Sequence, residues 1–367
     1  MKNKDKLTKL EKAIAKAVLT ESKREPLEDS GYYNEDDTLK HYIRKYYWEK
    51  RITRLKRDAN PALVNGIKYF SFCSIRAFDV RYFIKQKLIN TNSKVPFAFV
   101  EFVKDDFEFL AQTYINKNLG SGFCGSFDDI ATNSDNENYG KFWSTFPYDV
   151  INLDYLGDIL KTNNHSGKIG ENDFYAIQSV INKQFFLRRP YELWITMRAK
   201  EGRYEPAVKQ AFRKLITYHR ENYKDTFDEN FKKHFPGKTV NNLIDEDLFL
   251  VGYINWLYYV CKLSCSTIPH IQVIKYKRID KDKREYFLYN IFLRIAPYND
   301  IVIPSPASDA VTFCEDEYSE GIINCFTKAI DVTAEFNAKK TELEDSLKAE
   351  LKTLGEEYSE DFKGYIS

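Results

Sequence analysis

The chain has 367 residues, of which 43% are apolar and 30% charged, so it can bury a sizeable core and is not globally disordered. Lys+Arg 55 against Asp+Glu 54 leaves a net charge of +1. That balance excludes a wholly basic nucleic-acid coat and an acidic solvating tail, but it permits a local basic patch.

Near the start, Leu7, Leu10, Ile14 and Val18 recur at spacings of three and four, which predicts one apolar helical stripe. The first residues lack the apolar core of a signal peptide, and no run reaches the roughly 18 uncharged apolar residues of a membrane span. A soluble, cytoplasmic protein with no membrane partner is expected. Abundant Lys, Asn, Tyr, Phe and Ile is the bias of an AT-rich bacterial or phage genome. The polar stretch SKREPLEDSGYYNEDD reads as a linker, followed by a helix over 38–57.

Within that helix Arg44, Lys45, Lys50, Arg51 and Arg54 alternate with Tyr42, Tyr46, Tyr47 and Trp48. Cations neutralise phosphates and aromatic faces stack on unpaired bases, so the mixture suits RNA or DNA. The competing expectation is an amphipathic helix whose rings pack on the core while its cations stay solvated. Dense aromatics favour that second reading.

From residue 67 the pattern changes to short apolar runs between helical stretches. IKYFSFC (67–73), PFAFVEF (96–102), YDVINLD (148–154) and YELWITMR (191–198) are the predicted strands. Strands alternating with helices predict βαβ units, hence an α/β fold around a mostly parallel sheet. Residues 205–265 read as a helical insertion. IQVIKYKR (271–278) and YFLYNIFLRI (286–295) then read as an antiparallel hairpin closing the sheet edge. A long helix within 319–357 carries Leu343, Leu347, Leu351 and Leu354 on one face. That stripe either docks on its own domain or forms a homodimer or a contact with a protein partner. The expected organisation is a helical arm over 1–60, an α/β domain over 61–303 and a helical extension over 304–367.

Six scattered cysteines build no disulfide framework, and the Cys261/Cys265 pair lacks companions for a zinc site. No metal site is expected. The strongest candidate site is YDVINLDYLGDI, where an apolar strand runs into Asp154, Tyr155 and Gly157. Ligands of open α/β sheets bind beyond the carboxyl ends of the strands, and a carboxylate there can accept a hydrogen bond from an amino group. The alternative is that Asp154 caps the next segment and Gly157 only makes a turn.

This segment resembles motif IV of class I S-adenosylmethionine-dependent methyltransferases, most of all the tRNA dimethylguanosine methyltransferases. Asp154 and Gly157 keep that family's spacing, with Tyr155 where the family has proline. YFSFCSIRAFDVRY (69–82) resembles its first strand and loop, placing Arg76 in a matching position and Ser74 in a glycine position. No glycine lies between 67 and 119. Glu101 occupies the position of the family's ribose-binding acid, and Asp128 or Asp129 that of an acid near the adenine. The resemblance implies a methyltransferase-like sheet with an antiparallel finish and S-adenosylmethionine as cofactor. It further implies methyl transfer to an amino group of a nucleic acid, with Asp154 and Tyr155 at the reacting group. The missing glycines leave a second expectation open: a catalytically degenerate binding or assembly subunit of a bacterial multi-protein system.

Overall fold

The computed structural model describes residues 35–59, 61–155, 173–198, 206–222, 224–279, 285–297 and 328–366. The stripe from Leu7 to Val18, the linker and Gly157 lie outside the described residues. An eight-stranded mixed sheet forms the centre. Its strands are β1 (Tyr69–Phe72), β2 (Phe97–Glu101), β3 (Ser121–Cys124), β4 (Val150–Asp154), β5 (Tyr191–Arg198), β6 (Ser266–Ile279), β7 (Glu285–Pro297) and β8 (Ile330–Asp331). They run in the order β3-β2-β1-β4-β5-β7-β6-β8. β1 to β5 pair in parallel, and β7 runs antiparallel to both β5 and β6. The fold is α/β and Rossmann-like, as the sequence predicts.

Two details differ from expectation. The hairpin does not form the edge, because β7 lies between β5 and β6, and the two-residue β8 pairs with β6 beyond it. β3 is an additional strand whose residues, SGFC, carry no long apolar run. Gly122 is required there: a Cβ on it would lie 2.4 Å from the Phe99 ring of β2. The neighbouring aromatic therefore demands the residue that hides the strand from a propensity reading.

Side chains alternate across the sheet with period two. Phe70, Ala98, Val100, Ile151, Leu153, Leu193, Ile195 and Met197 face one core. That side is covered by α5 (Phe127–Thr132), α6 (Tyr139–Ser144), α7 (Asp173–Gln184), α8 (Pro206–Asn222), α9 (Lys224–His234) and α10 (Asp245–Leu263). Tyr69, Phe97, Phe99, Val150 and Trp194 face the other core. It is covered by α1 (Glu35–Ile43), α2 (Glu49–Asp58), α3 (Phe78–Lys85), α4 (Lys104–Leu110) and α11 (Val332–Ile366).

The arm helix is interrupted. Between α1 and α2 the backbone widens into a π-helical turn, Arg44–Trp48, with Glu49 N–H donating to the Arg44 carbonyl. Trp48, 1% exposed, stacks on Trp194 with ring centroids 5.7 Å apart. The aromatics thus pack on the sheet. The leucine stripe of α11 is likewise occupied within the chain: Leu347, Leu351 and Leu354 are buried, and Leu343 packs against the same core. Tyr358 and Phe362 continue that face onto Phe109. Of the expectations for this stripe, docking on its own domain is the one found, and the homodimer alternative is corrected, since the apolar face is covered by α1, α3 and β6.

Candidate functional site

The chain runs outward from β1 to β3 and then returns to β4, so the β1/β4 junction is where the direction of winding reverses. The helices that follow these two strands, α3 and α7, pack on opposite faces of the sheet, and such a reversal opens a cleft at the carboxyl ends of the strands. Here the cleft is a cavity of about 390 Å³, lined in part by Ser74, Glu101, Asp128, Asp154 and Tyr155. Five residues singled out in separate stretches of sequence therefore meet in one place.

The five arrive from four strand ends. β1 runs through Cys73 to Ser74, and Ala77 then takes a left-handed conformation (φ 46°, ψ 39°) at the entry to α3. A residue with a Cβ is disfavoured there, at a position where glycine would be free of strain. β2 delivers Glu101, whose Oε1 accepts the Val103 N–H at 2.8 Å, and then Phe102, which is 74% exposed on the cavity rim. After β3, Gly125 (φ +136°) turns the chain so that Asp128 reaches the cavity, accepting a hydrogen bond from the Ser126 hydroxyl. β4 ends in Asp154 and Tyr155. Asp154 Oδ2 accepts from Lys40 Nζ at 2.6 Å, while its buried Oδ1 has no partner among the described residues.

Four further cavity residues escape the sequence reading: Lys40, Asp79, Phe102 and Asp173. Asp79 sits in the first turn of α3. Its Oδ2 accepts from the Tyr69 hydroxyl at 2.8 Å and from Ser71 Oγ at 3.0 Å, so the acid is held by β1 itself. Asp173 opens α7, and no local motif marks it. Burial and the nearby Asp128 carboxylate push its carboxyl up to about 7. The buried Tyr155 hydroxyl faces Asp173 without closing a hydrogen bond of ordinary geometry, and burial raises it well above its usual value. Burial also raises the Cys73 thiol, so this cavity-lining cysteine is a poor nucleophile. The cavity wall carries five carboxylates (Asp79, Glu101, Asp128, Asp154, Asp173) against Lys40 and Arg44. It favours ligands rich in hydroxyl, amino or cationic groups.

Two expected cofactor residues stand elsewhere. Arg76 pairs with Asp37 at 3.2 Å. Asp129 is held by the Asn133 and Asn136 side-chain amides at 2.7 and 2.5 Å, fixing the loop after α5. Neither lines the cavity.

The nucleic-acid face, the less favoured expectation for the arm, needs a larger correction, and so does the expectation that its cations stay solvated. Arg51 is 4% exposed and donates to Glu192 at 2.8 Å and Gln272 at 3.2 Å, and Arg294 holds the other Glu192 oxygen at 2.9 Å. Arg44 is 7% exposed and belongs to the cavity wall. Lys45 is paired with Glu350. Only Lys50, 5.4 Å from the Tyr46 ring, and Arg54 remain exposed among the five. The physical reason is the packing of Tyr42 and Trp48: burying one side of the arm carries its neighbouring cations inward, where carboxylates must meet them.

A family model described as PP_RS20740-like matches residues 38–249, more than half of the chain. The chain belongs to the PP_RS20740-like family. No curated protein matches it. The PP_RS20740-like region contains β1 to β5 and every residue lining the cavity, whereas β6, β7 and α11 lie beyond it. The family match and the candidate site thus coincide along the chain. Among the described residues no His, Cys, Asp and Glu group is arranged to hold a metal ion, and no helix is long and apolar enough to cross a membrane.

Proposed function

We propose that the cavity binds S-adenosylmethionine and that the protein transfers its methyl group to an amino nitrogen, with a nucleic acid as the substrate class the motif resemblance implies. The observation that carries this reading is the convergence of Ser74, Glu101, Asp128, Asp154 and Tyr155 on one cavity at the β1/β4 junction. The strand order β3-β2-β1-β4-β5-β7-β6, with β7 reversed, supports it, because an antiparallel finish to a parallel sheet is what the resemblance implies. So does the cavity's size, within the usual range for small-molecule sites.

The residues present fit such a ligand. Glu101 stands at the end of β2 on the cavity wall, where a carboxylate can accept from the hydroxyls of a ribose, and the exposed Phe102 ring beside it offers a face to a base. The bound cofactor would supply an electrophilic methyl group. Asp154 Oδ1, buried and without a partner among the described residues, would accept a hydrogen bond from the incoming amino group and so aim its lone pair. Positioning of this kind, rather than a strong base, is the main contribution a protein makes to such a displacement.

Two observations favour the second reading, a catalytically degenerate binding or assembly subunit without transfer activity. Lys40 already holds Asp154 Oδ2, and the loop after β1 turns on Ala77 rather than on glycine. Isothermal titration of the full chain with S-adenosylmethionine, followed by a labelled-methyl transfer assay on RNA and DNA, separates the readings. Heat of binding with transfer supports the enzyme. Binding without transfer supports the subunit, and absence of binding removes the cofactor proposal.

A further inference from the structure

The cavity leaves one set of polar atoms that the reading above does not use. Arg44 Nε and Nη1 and Trp48 Nε1 are buried donors with no hydrogen-bond partner among the described residues. Both side chains belong to the π-helical turn Arg44–Trp48, and both line the cavity. An unmet buried donor costs about 1–3 kcal/mol, more when charged, so three from one turn call for an explanation. Single π-helical turns inside α-helices occur frequently at functional sites.

Seven residues along the same arm, Arg51 shows how a structural arginine is accommodated here. Its Nε meets Glu192 at 2.8 Å, its Nη1 meets Gln272 at 3.2 Å, and the Phe292 ring lies 4.9 Å away. Arg44 has the ring contact, with Phe78 at 5.7 Å, and none of the rest. No carboxylate lies within ion-pair distance of it among the described residues, although Asp79, Asp37 and Asp154 are near enough to be felt electrostatically.

We infer that Arg44 and Trp48 form an anion-accepting subsite of the cavity that takes the carboxylate of an α-amino acid group carried by the ligand. This rests on the nucleoside-cofactor reading proposed above. A carboxylate is favoured over a phosphate because five acids share the wall with two cations, and a dianion would meet net repulsion. A zwitterionic end is matched on both sides. Its carboxylate faces the guanidinium and indole donors, and its ammonium faces the acid-rich remainder of the wall. Arginine suits the first task because its planar donors match a carboxylate in pairs.

The test compares two nucleosides that differ only at this end. S-adenosylhomocysteine carries the amino acid group, and 5′-methylthioadenosine lacks it. Titrated into the full chain, the first is expected to bind about ten- to a hundredfold more tightly, the range for hydrogen bonds to a charged group. Arg44→Met should abolish that preference while leaving 5′-methylthioadenosine affinity unchanged, which also shows that the variant is folded. Trp48→Phe keeps the ring and removes the N–H, and should reduce the preference severalfold; it decides the matter if Arg44→Met does not fold. Equal affinity of the two nucleosides in the wild type, or a preference that survives the substitutions, overturns the carboxylate subsite and leaves the nucleoside reading standing. No binding of either nucleoside overturns both.

Discussion

The helical arm and the strand-end cavity have similar inventories, aromatic rings interleaved with charges, yet they differ in how their polar atoms are met. Away from the turn that lines the cavity, several charged and hydroxyl groups of the arm find partners within the chain. Arg51 and Arg294 share Glu192, Tyr42 donates to Glu335 at 2.8 Å, and His41 Nε2 meets Glu350 at 3.0 Å. In the cavity, Asp154 Oδ1, the Tyr155 hydroxyl and the donors of Arg44 and Trp48 are left open. Composition does not distinguish a packed helix from a binding surface. Unmet buried polar atoms also occur elsewhere among the described residues, at Tyr114, Tyr148 and Tyr191 for example. The cavity differs in that five of them belong to residues lining one space, where a ligand can meet them together.

The largest effects should come from breaking the closed side of this comparison. Arg51→Ala leaves a buried Glu192 with one cation fewer, and removal of one partner from a buried pair costs about 3–5 kcal/mol. Urea denaturation should show that loss. Phe102→Ala, on the open side, removes an exposed ring and should change stability by less than about 0.5 kcal/mol. Its loss should appear instead as weaker nucleoside binding, since an aromatic stacking contact is worth about 1–3 kcal/mol. Similar destabilisation by the two substitutions would erase the distinction.

A pH titration sharpens it further. Asp173 holds its proton to about 7 in the folded cavity, against an ordinary 3.8. A raised carboxyl binds more protons folded than unfolded between those values. Its contribution to stability is therefore complete below about pH 4 and is lost as pH rises towards 7. Asp173→Asn should remove that decline and exceed the wild type at pH 8 by about 1–4 kcal/mol. His219, buried between α8 and α10 and pulled down to about 4, acts in the opposite direction. Its contribution is present above 6.5 and is lost as pH falls towards 4. The two must be separated by difference curves, variant minus wild type, from denaturation at each pH. A flat Asp173→Asn difference would show that the acid ionises normally in the cavity.

Asp154→Ala is expected to be milder. It deletes a partly exposed ion pair with Lys40, worth about 1 kcal/mol, yet it should abolish methyl transfer if the proposed function holds. A thermal melt well below the wild type would show instead that the carboxylate is a structural cap.

Much of the sheet was legible because its strands are short apolar runs with clear breaks, and YELWITMR matches β5 residue for residue. The acids at strand ends were legible for a related reason: topology alone sends Glu101, Asp128 and Asp154 to the same edge. β3 was not, because Phe99 requires glycine where a strand former would stand. Asp173 was not either, since its place in the cavity depends on α7 docking rather than on any local spacing. For the arm, the favoured reading put the rings on the core, as found, but left its cations solvated, whereas Arg44 and Arg51 are carried inward. Stacking of Trp48 on Trp194 decides that, and it is a contact between residues far apart in sequence.

The smallest expected effect tests what remains of the arm as a nucleic-acid surface. Lys50 and Arg54 are exposed, so reversing both to glutamate should change stability by under about 0.5 kcal/mol for each site. Binding of a single-stranded oligonucleotide can be followed by fluorescence anisotropy across a salt series. Each phosphate neutralised contributes about 0.7 to the slope of log affinity against log salt for a single strand. If the arm is a packing element, the double reversal leaves that slope and the affinity unchanged, because any nucleic acid is met elsewhere. If both residues contact phosphates, the slope falls by about 1.4 and affinity drops with it. That outcome would make one helix both a core element through Trp48 and Arg51 and a recognition surface through Lys50 and Arg54. The line between closed and open groups would then run along the two sides of α2 rather than between the arm and the cavity.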